Sequence, residues 1–463
     1  MTAIFQPAAS SLSQSLTTEQ VLQQLASLLE PLGAVAEVET LPLIEALDRV
    51  LAADVLCPVN VPPHDNSAMD GYAFHSSALQ AQTVQLRVVG TALAGAPWTN
   101  PVKPGECVKI MTGAVMPAGL DTVIAHELAS VAADARDDDH IRFDAASVCA
   151  GANLRLCGED LQRGAVALAA GQRLKPAALG LLASLGLAQV SVRRRLRVAY
   201  FSTGDEILNP GAAPREGAIY DSNRFSLQGL LRRLGVQVLD LGVVPDEPMA
   251  LEEKLREAAA LADVVLTSGG ISAGEADHTR AMLQRLGPVQ FWRVDMRPGR
   301  PLAVGLLRPA AHASLAEAFG EKSAFSPIKE IADSSQNKSN SFAAKRPAVL
   351  LGLPGNPVAA MVSFLMFVRP ALLSLMGCSD GDVPVMQALS AEKLRKRPGR
   401  TEYLRGVVAL NALGQATVRS TGPQGSGVLS SMVAANCLMV LEHERSDVQP
   451  GEAVSILLLD GLI

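Results

Sequence analysis

Between residues 195 and 376, short apolar runs typical of buried strands alternate with segments of helical periodicity. The strand-like runs are Leu196–Phe201, Val236–Leu241, Val264–Leu266, Leu302–Leu307 and Val349–Leu351. The helical segments are Arg224–Leu234, Met249–Leu261 and Thr279–Leu286. Strands that alternate with helices favour a mostly parallel sheet with helices on both faces. We therefore expect an α/β domain in this part of the chain.

Loops rich in glycine, hydroxyl groups and carboxylates follow four of these strands. The loops are Ser202–Glu206, Val243–Asp246, Ser268–Asp277 and Gly352–Val358. Ligands of open parallel sheets bind beyond the carboxyl ends of the strands. Glycine-rich loops that lead into helices offer unpaired N–H groups to phosphate or other oxyanions. We therefore expect a phosphorylated ligand at this edge of the sheet.

Three carboxylates in these loops, Glu206, Asp246 and Asp277, would repel an anion unless a divalent cation lay between them. Carboxylate oxygens are the ligands that Mg²⁺ prefers, so we predict that the three side chains bind Mg²⁺ or its water. Alternatively, Asp246 and Asp277 are helix N-caps, since each is followed within a few residues by a helical segment.

Two clusters of cations could neutralise an anionic substrate. The first contains Arg293, Arg297 and Arg300, and the second spans Lys393–Arg400. The second cluster could equally be a solvated loop. The sequence contains neither a GxSxG nucleophile elbow nor a Cys/His pattern of a covalent catalyst.

The flanking regions differ in texture from the α/β region. Short β-type runs separated by Gly/Pro turns fill residues 61–152, and the last ~85 residues are similar, so we predict two further β domains. Residues 308–346 are rich in Ala, Ser, Lys and Asn, and this connection far exceeds the usual length of ~2–6 residues. We predict that it is a disordered, mobile insertion.

Composition excludes several classes of protein. With a net charge of −6 and 4% aromatic residues, the chain is not expected to bind nucleic acid. Six cysteines without a CxxC pair favour a reducing compartment. The most apolar stretch, Ala359–Met376, is interrupted by Arg369-Pro370, so we expect no membrane span. A soluble cytoplasmic protein is predicted.

Three motifs outside the α/β region look like ordinary turns when taken singly. Asn66–Ala73 contains Asp70 before a glycine, and Asp-Gly favours tight turns. Met111–Gly119 and Gly158–Asp160 are glycine-containing turns that carry no strong signal of their own.

Taken together, the motifs resemble those of the molybdopterin molybdenumtransferase family, which is similar to the C-terminal domain of gephyrin. The resemblance covers residues 16–463 and rests on motifs in the family's order: NSAMDGYA (66–73), IMTGAVMPAG (110–119), GED (158–160), FSTGDE (201–206), IYDSNR (219–224), SGGISAGEAD (268–277), RPGRP (297–301) and GLPGNPV (352–358).

The resemblance implies a homodimer of four-domain chains. The implied domains are an elongated N-terminal domain (16–60 and 153–192), an inserted β domain (61–152), a molybdopterin-binding α/β domain (193–379) and a C-terminal β domain (380–463). The implied reaction uses Mg²⁺, takes molybdate and adenylylated molybdopterin, inserts molybdenum and releases AMP. The product would pass to other proteins of molybdenum cofactor metabolism.

The resemblance also implies roles for individual residues. Asp70 and Thr112 would come from the partner subunit's inserted β domain. The implied catalytic residues are Asp70, Thr112, Asp160, Glu206, Asp246 and Asp277, of which the last three would bind the metal. The implied substrate-binding residues are Ser202, Thr203, Gly204, Gly269, Gly270, Ser272, Arg293, Arg297, Pro298, Pro301, Pro354, Asn356 and Arg400.

Two departures from the family and two alternatives accompany this interpretation, and the insertion 308–346 is one of the departures. The family commonly has lysines where Arg293, Arg297 and Arg300 stand, and arginine keeps the charge while gripping oxyanions through two N–H groups. One alternative is the molybdopterin adenylyltransferase, which uses the same α/β domain. The other is a non-catalytic dimeric scaffold of the gephyrin type, which would not need the acidic residues.

Overall fold

The computed structural model describes residues 15–131, 140–269, 277–308, 346–379, 381 and 383–462 of the chain. They form two compact units. The large unit contains the described parts of residues 1–39, 48–50 and 193–463, and the small unit contains 40–47 and 51–192. The four-domain division and its boundaries stay a prediction. Apart from its end residues, the predicted insertion 308–346 lies outside the described residues.

Helices and strands are numbered in chain order. The helices are α1 Thr18–Leu29, α2 Pro176–Ser184, α3 Ser222–Arg233, α4 Pro248–Leu261, α5 Asp277–Leu286, α6 Pro357–Ser363, α7 Arg369–Met376, α8 Ser430–Ala434 and α9 Leu459–Leu462. The strands are β1 Val38–Pro42, β2 Val55–Leu56, β3 Asn66–Ser67, β4 Gly71–Phe74, β5 Thr83–Ala92, β6 Glu106–Ile110, β7 Thr122–Ala125, β8 Ser130–Val131, β9 His140–Asp144, β10 Leu154–Arg155, β11 Val166–Leu168, β12 Gln189–Arg193, β13 Arg197–Thr203, β14 Ile207–Leu208, β15 Ile219–Tyr220, β16 Gln237–Val244, β17 Val264–Ser268, β18 Val289–Arg293, β19 Met296–Arg297, β20 Pro301–Leu307, β21 Ala348–Leu353, β22 Val385–Ser390, β23 Thr401–Leu410, β24 Ala416–Ser420, β25 Cys437–Leu441 and β26 Ala453–Leu458.

The small unit contains a six-stranded sheet in the order β7-β4-β6-β5-β9-β8. Alternate residues of β5 and β9 are buried, as expected of strands with one face toward a core. The rings of Phe74 and Phe143 lie in that core with their centroids 5.2 Å apart. The predicted inserted β domain is therefore confirmed.

The central sheet of the large unit has the order β16-β13-β17-β21-β20-β18. The first four strands are mutually parallel, while β20 runs antiparallel to both β21 and β18. Every residue of β17 and β21 is buried, because helices cover both faces of the sheet. The mostly parallel α/β domain is confirmed, although β18 was not predicted.

The last strands close into a barrel. The order β24-β22-β26-β25 is completed by β23, which pairs with both β24 and β25. Val454 and Ile456 of β26 and Cys437 and Met439 of β25 point into its core. This confirms the predicted C-terminal β domain and the multidomain α/β plus β class.

One prediction about the helices is wrong. Arg369-Pro370 does not interrupt the apolar stretch, because residues Pro357–Met376 form one continuous helical segment. A wider π-helical section, Phe364–Val368, precedes the proline and accommodates its ring and missing N–H. The segment is long and apolar enough to cross a membrane, but 72% of its most apolar window is buried inside the protein, as in the core helix of a soluble protein.

Candidate active site

A cleft of about 760 Å³ lies at the carboxyl ends of β13, β17 and β21 in the large unit. The sequence predicted binding at this edge of a parallel sheet. The predicted site residues that line it are Ser202, Thr203, Glu206, Gly269, Arg297, Pro298, Pro301, Pro354, Asn356 and Arg400. The fold therefore brings several separate sequence motifs to one cavity.

Two serines and two helix N-termini form the floor of the cleft. Ser202 of β13 is the register partner of Ser268 of β17, and both line the cavity. Helices α3 and α6 begin beside them, with Asp221 and Asn356 as their N-cap residues. Part of each helix end is already satisfied, since Asp221 accepts from the N–H of Arg224 and the N–H of Val358 donates to the carbonyl of Ser426, so only the remaining N–H groups are open to an oxyanion.

Two glycines are required by close contacts at the strand ends. Gly269 has φ +82°, and a Cβ atom there would lie 2.5 Å from the carbonyl oxygen of Thr203. Gly204 has φ +143° and lies beneath the carboxylate of Glu206, whose Oε2 would be 2.6 Å from such a Cβ atom. Glycine thus allows the Glu206 carboxylate to fold back over the end of β13.

Of the predicted carboxylates, Glu206 lines the cleft, whereas Asp246 does not and lies close to Glu206 and Asp205. The backbone N–H of Asp246 donates to Oδ1 of Asp205 at 3.3 Å. Partial burial, followed by the charges of Asp205 and Glu206, raises the pKa of the Asp246 carboxyl. The proximity of these like charges makes the ionised form of Asp246 less favourable.

Asp246 does not cap α4, because the N-cap residue is Glu247 and its side chain makes no cap hydrogen bond. The N-cap interpretation of Asp246 is therefore wrong. Helix α5 begins at Asp277, but the side chain of Asp277 lies outside the described part, as do Gly270 and Ser272. Among the described residues, no group of three His, Cys, Asp or Glu side chains is placed to hold a metal.

Three arginines also line the cleft. Arg297, Arg300 and Arg400 line it, and none of them forms an ion pair with a carboxylate in the described part of the chain. Burial, followed by the charges of Arg400 and Arg293, lowers the pKa of Arg300. Arg293 itself is exposed at the end of β18 and does not line the cavity. Uncompensated guanidinium groups at this density favour an anionic ligand.

Sequence reasoning missed Arg405, which is fully buried in β23. Its guanidinium donates from Nε to Oγ of Ser431 at 3.0 Å and from one terminal nitrogen to the carbonyl of Gly425, a cleft residue, at 3.1 Å. The other terminal nitrogen has no partner in the described structure. Burial, together with the charge of Arg297, lowers the pKa of Arg405 to about 10. A charge inside the apolar run EYLRGVV was the signal that could have found it.

Several buried polar atoms on cleft residues also lack partners within the described ranges. They include Oδ2 of Asp221, Oδ1 of Asn223 and Nε of Arg300. The other polar atom of the Asp221 and Asn223 side chains does have a partner. Oδ1 of Asp221 accepts from the N–H of Arg224, and the amide nitrogen of Asn223 donates to the carbonyl of Gly355. Buried polar groups are rarely left unpaired, so these atoms point to a polar ligand with both donors and acceptors.

A second cavity of about 580 Å³ shares Arg297 and Arg400 with the cleft. It is lined mainly by the second cation cluster, including Arg395 and Arg397. Lys396 is 5% exposed, and its ammonium donates to the carbonyls of Arg397, His443 and Arg445 at 3.3, 3.2 and 3.0 Å. The cluster is therefore not entirely a solvated loop, because Lys396 fixes it to the barrel.

The remaining predicted residues lie in the small unit. Oδ1 of Asp70 accepts hydrogen bonds from the backbone N–H and the hydroxyl of Thr112, each at 2.7 Å. These two bonds lower the pKa of Asp70, the backbone bond most strongly. Asp160 is exposed, and its backbone N–H donates to Val61 at 3.0 Å. The fold thus joins Asp70 to Thr112, which are far apart in sequence.

Three family models match the chain. They are described as the MoeA N-terminal region (domain I and II) over residues 16–186, a probable molybdopterin binding domain over 199–374, and the MoeA C-terminal region (domain IV) over 387–459. The crystal structure of a molybdopterin biosynthesis MoeA protein from Pyrococcus horikoshii covers 96% of this chain and 100% of its own, with a TM-score of 0.73 and 26% identity.

Curated relatives match over nearly the whole length. A molybdopterin molybdenumtransferase of Haemophilus influenzae is 39% identical over 435 residues, which are 94% of this chain and 97% of the relative. One from Nostoc is 32% identical over 440 residues, covering 94% and 91% of the two chains. These names do not favour the adenylyltransferase alternative. The chain belongs to the molybdopterin molybdenumtransferase family.

Proposed function

We propose that this protein transfers molybdenum from molybdate to adenylylated molybdopterin and releases AMP. The observation that carries the proposal is that the strand-end loops, with Glu206, and three arginines, Arg297, Arg300 and Arg400, line one cleft. Both substrates are anions, so these arginines suit their oxygens. The unpaired Asp221 and Asn223 oxygens are acceptors suited to N–H groups of the pterin.

Glu206 and Asp246 are the described residues that would hold Mg²⁺. Mg²⁺ is commonly bound through one or two carboxylates together with substrate phosphates, so this donor pair fits it. Asp277 completes the proposed set. Bound Mg²⁺ would supply positive charge to the phosphates of the substrate.

The protein's own groups contribute positioning and neutralisation of charge. Arg297, Arg300 and Arg400 would hold the oxyanions close together and offset their mutual repulsion. Water supplies the oxygen that joins one phosphorus as the P–O–P anhydride bond breaks, so one phosphate stays on the pterin and the other leaves in AMP. The two dithiolene sulfurs replace two oxygens of molybdate, which leave as water. The lack of a nucleophile–base motif in the sequence is consistent with a route that forms no covalent bond to the enzyme.

The test measures AMP release from adenylylated molybdopterin with Mg²⁺, with and without molybdate. We expect release that depends on molybdate and falls by at least about 10²-fold in Glu206→Ala or Asp277→Ala. The exposed Glu253→Gln on α4 is the control and should leave the rate unchanged. Pterin binding without molybdate-dependent release in the wild type would contradict the proposal and support the scaffold alternative.

We further propose a homodimer in which Asp70 and Thr112 complete the cleft of the partner subunit. Asp70→Ala chains mixed with Glu206→Ala chains should then recover activity, because each mixed dimer has one intact site. Random exchange at equal amounts predicts about a quarter of the wild-type rate. A mixture of Glu206→Ala with Asp246→Ala is the control. It should remain inactive, because both residues would be supplied to a site by the same subunit and each site of a mixed dimer then carries one of the two changes. An inactive first mixture would contradict the shared site.

The proposed location is the cytoplasm, with delivery of the product to other molybdenum cofactor proteins. The exposed Cys149 and Cys157 form no disulfide, which suits a reducing compartment.

A further inference from the structure

A buried tyrosine lies beneath the two serines of the cleft floor. Tyr200 is 0% exposed, and its hydroxyl oxygen lies 2.9 Å from Oγ of Ser202 and 2.6 Å from Oγ of Ser268. Tyr200 and Ser202 are two residues apart on β13, so they share a face of the sheet. Ser268 stands beside Ser202 in register on β17. The three hydroxyls therefore form one short network that ends at the cleft.

The number of hydroxyl hydrogens determines how many hydrogen-bond donors this network leaves free for a ligand in the cleft. Tyr200 has one donor, and its hydroxyl makes no other hydrogen bond in the described part of the chain, so it donates to one serine. The other serine then donates to Tyr200 and presents only an acceptor elsewhere. The serine that receives the tyrosine hydrogen keeps its own hydrogen free. One hydroxyl donor thus remains for the cleft.

We propose that Tyr200 is a positioning residue that holds this free serine hydroxyl against a phosphate oxygen of the bound substrate. The inference rests on the proposed function, because it takes a phosphorylated ligand in the cleft. Arg297, Arg300 and Arg400 line the same cleft, so the hydroxyl adds a donor to a cavity already suited to oxyanions.

Two features strengthen the donor. A chain of hydrogen bonds in a buried environment polarises each member, so the terminal hydroxyl donates more strongly than an isolated serine. Burial raises the pKa of Tyr200 well above its usual value, so the phenol keeps its hydrogen throughout the physiological pH range. The orientation of the serines is therefore independent of pH in that range.

The test uses the full-length chain with Tyr200→Phe and measures the Kd of AMP in the presence of Mg²⁺, together with kcat and KM for AMP release. We expect AMP to bind about fivefold to tenfold more weakly and KM to rise similarly, with kcat within about twofold. Tyr403→Phe is the matched control. Tyr403 is also buried, hydrogen bonds to Thr18 and does not line the cleft, so its loss should affect stability without changing the Kd.

A double-mutant cycle separates positioning from a purely structural role. If Tyr200 acts through the serines, Tyr200→Phe should cause little further loss of affinity in a Ser202→Ala/Ser268→Ala background. An unchanged Kd in Tyr200→Phe, or full additivity with the serine changes, would overturn the inference while the wild type still releases AMP. A wild type that neither binds AMP nor releases it would overturn the proposed function itself, and the inference with it.

Discussion

The tetrapeptide Arg-Pro-Gly-Arg occurs twice, at residues 297–300 and 397–400, and the two copies differ in packing. Their glycines have nearly the same backbone angle, with φ of +102° at Gly299 and +99° at Gly399. A strand follows each copy, β20 after the first and β23 after the second. We call them the inner turn (297–300) and the outer turn (397–400).

The difference lies in what surrounds each glycine. A Cβ atom at Gly299 would lie 2.4 Å from Oγ of the buried Ser363, whereas one at Gly399 would meet nothing within 4 Å. Pro298 is buried and Pro398 is exposed. The two turns share the φ of the glycine but not the peptide bond before proline, which is cis at Arg297-Pro298 and not at Arg397-Pro398. The inner turn packs against the core, and the outer turn is held by the hydrogen bond from the N–H of Gly399 to the carbonyl of His443 at 2.9 Å, while arginines of both line the cleft.

The largest effect is expected from the arginines of the two turns. Arg300→Ala should lower kcat/KM for molybdate-dependent AMP release by about 10²-fold, because it removes a partly buried cation from the cleft. Arg397→Ala, at the far side of the second cavity, should lower it by less than about threefold. Steady-state kinetics with varied molybdate would measure both. Equal losses would mean that the second cavity is part of the reacting site.

A smaller effect, on stability, is expected from the glycines. Gly299→Ala should destabilise the protein by about 2–4 kcal/mol, since strain at positive φ adds to the contact with Ser363. Gly399→Ala carries only the backbone strain and should cost about 1–2 kcal/mol. Denaturant unfolding of both variants gives the comparison. Indistinguishable midpoints would show that the packing of the inner turn relaxes freely.

The smallest effect, again on stability, is expected from Asp246, which lies close to Asp205 and Glu206. The folded-state pKa of Asp246 is raised, so its ionised form is less favourable in the folded protein than in the unfolded chain. Wild-type stability is therefore lost as the pH rises through that folded-state pKa. Asp246→Asn should give a slightly higher Tm than wild type at pH 7 without Mg²⁺. The difference should vanish below about pH 4, the ordinary aspartate value. A lower Tm for the variant at pH 7 would contradict the like-charge arrangement.

The sequence predicted the site best where local pattern and topology agree. Runs of buried residues such as those of β17 and β21 place their following loops at one edge, so Ser268 and Asn356 could be assigned to a common cleft. The antiparallel β18 escaped prediction because Val289–Arg293 is short and merges into the arginine-rich segment.

Other features depend on contacts that no local pattern contains. Arg405 and Tyr200 lie inside apolar strands, and their roles depend on partners from Ser431 and Ser268 on other elements. The carboxylate of Asp70 gains its partner from Thr112 on a distant turn, so from spacing alone it looked like a turn residue. Only the resemblance to the molybdopterin molybdenumtransferase family indicated a functional role for Asp70. The continuity of the helix through Pro370 depends on the π-helical section before it.

Closure of the C-terminal barrel has a consequence for the entropy of binding. Arg400 immediately precedes β23, whose first residues are paired with Arg297 on one side and with Leu441 on the other. The backbone that carries this arginine is therefore ordered before any ligand arrives. Association then restricts only side-chain rotations, about 0.5–1.5 kcal/mol for each long side chain, instead of ordering a loop. A small oxyanion, which offers little contact area, gains most from such preorganisation.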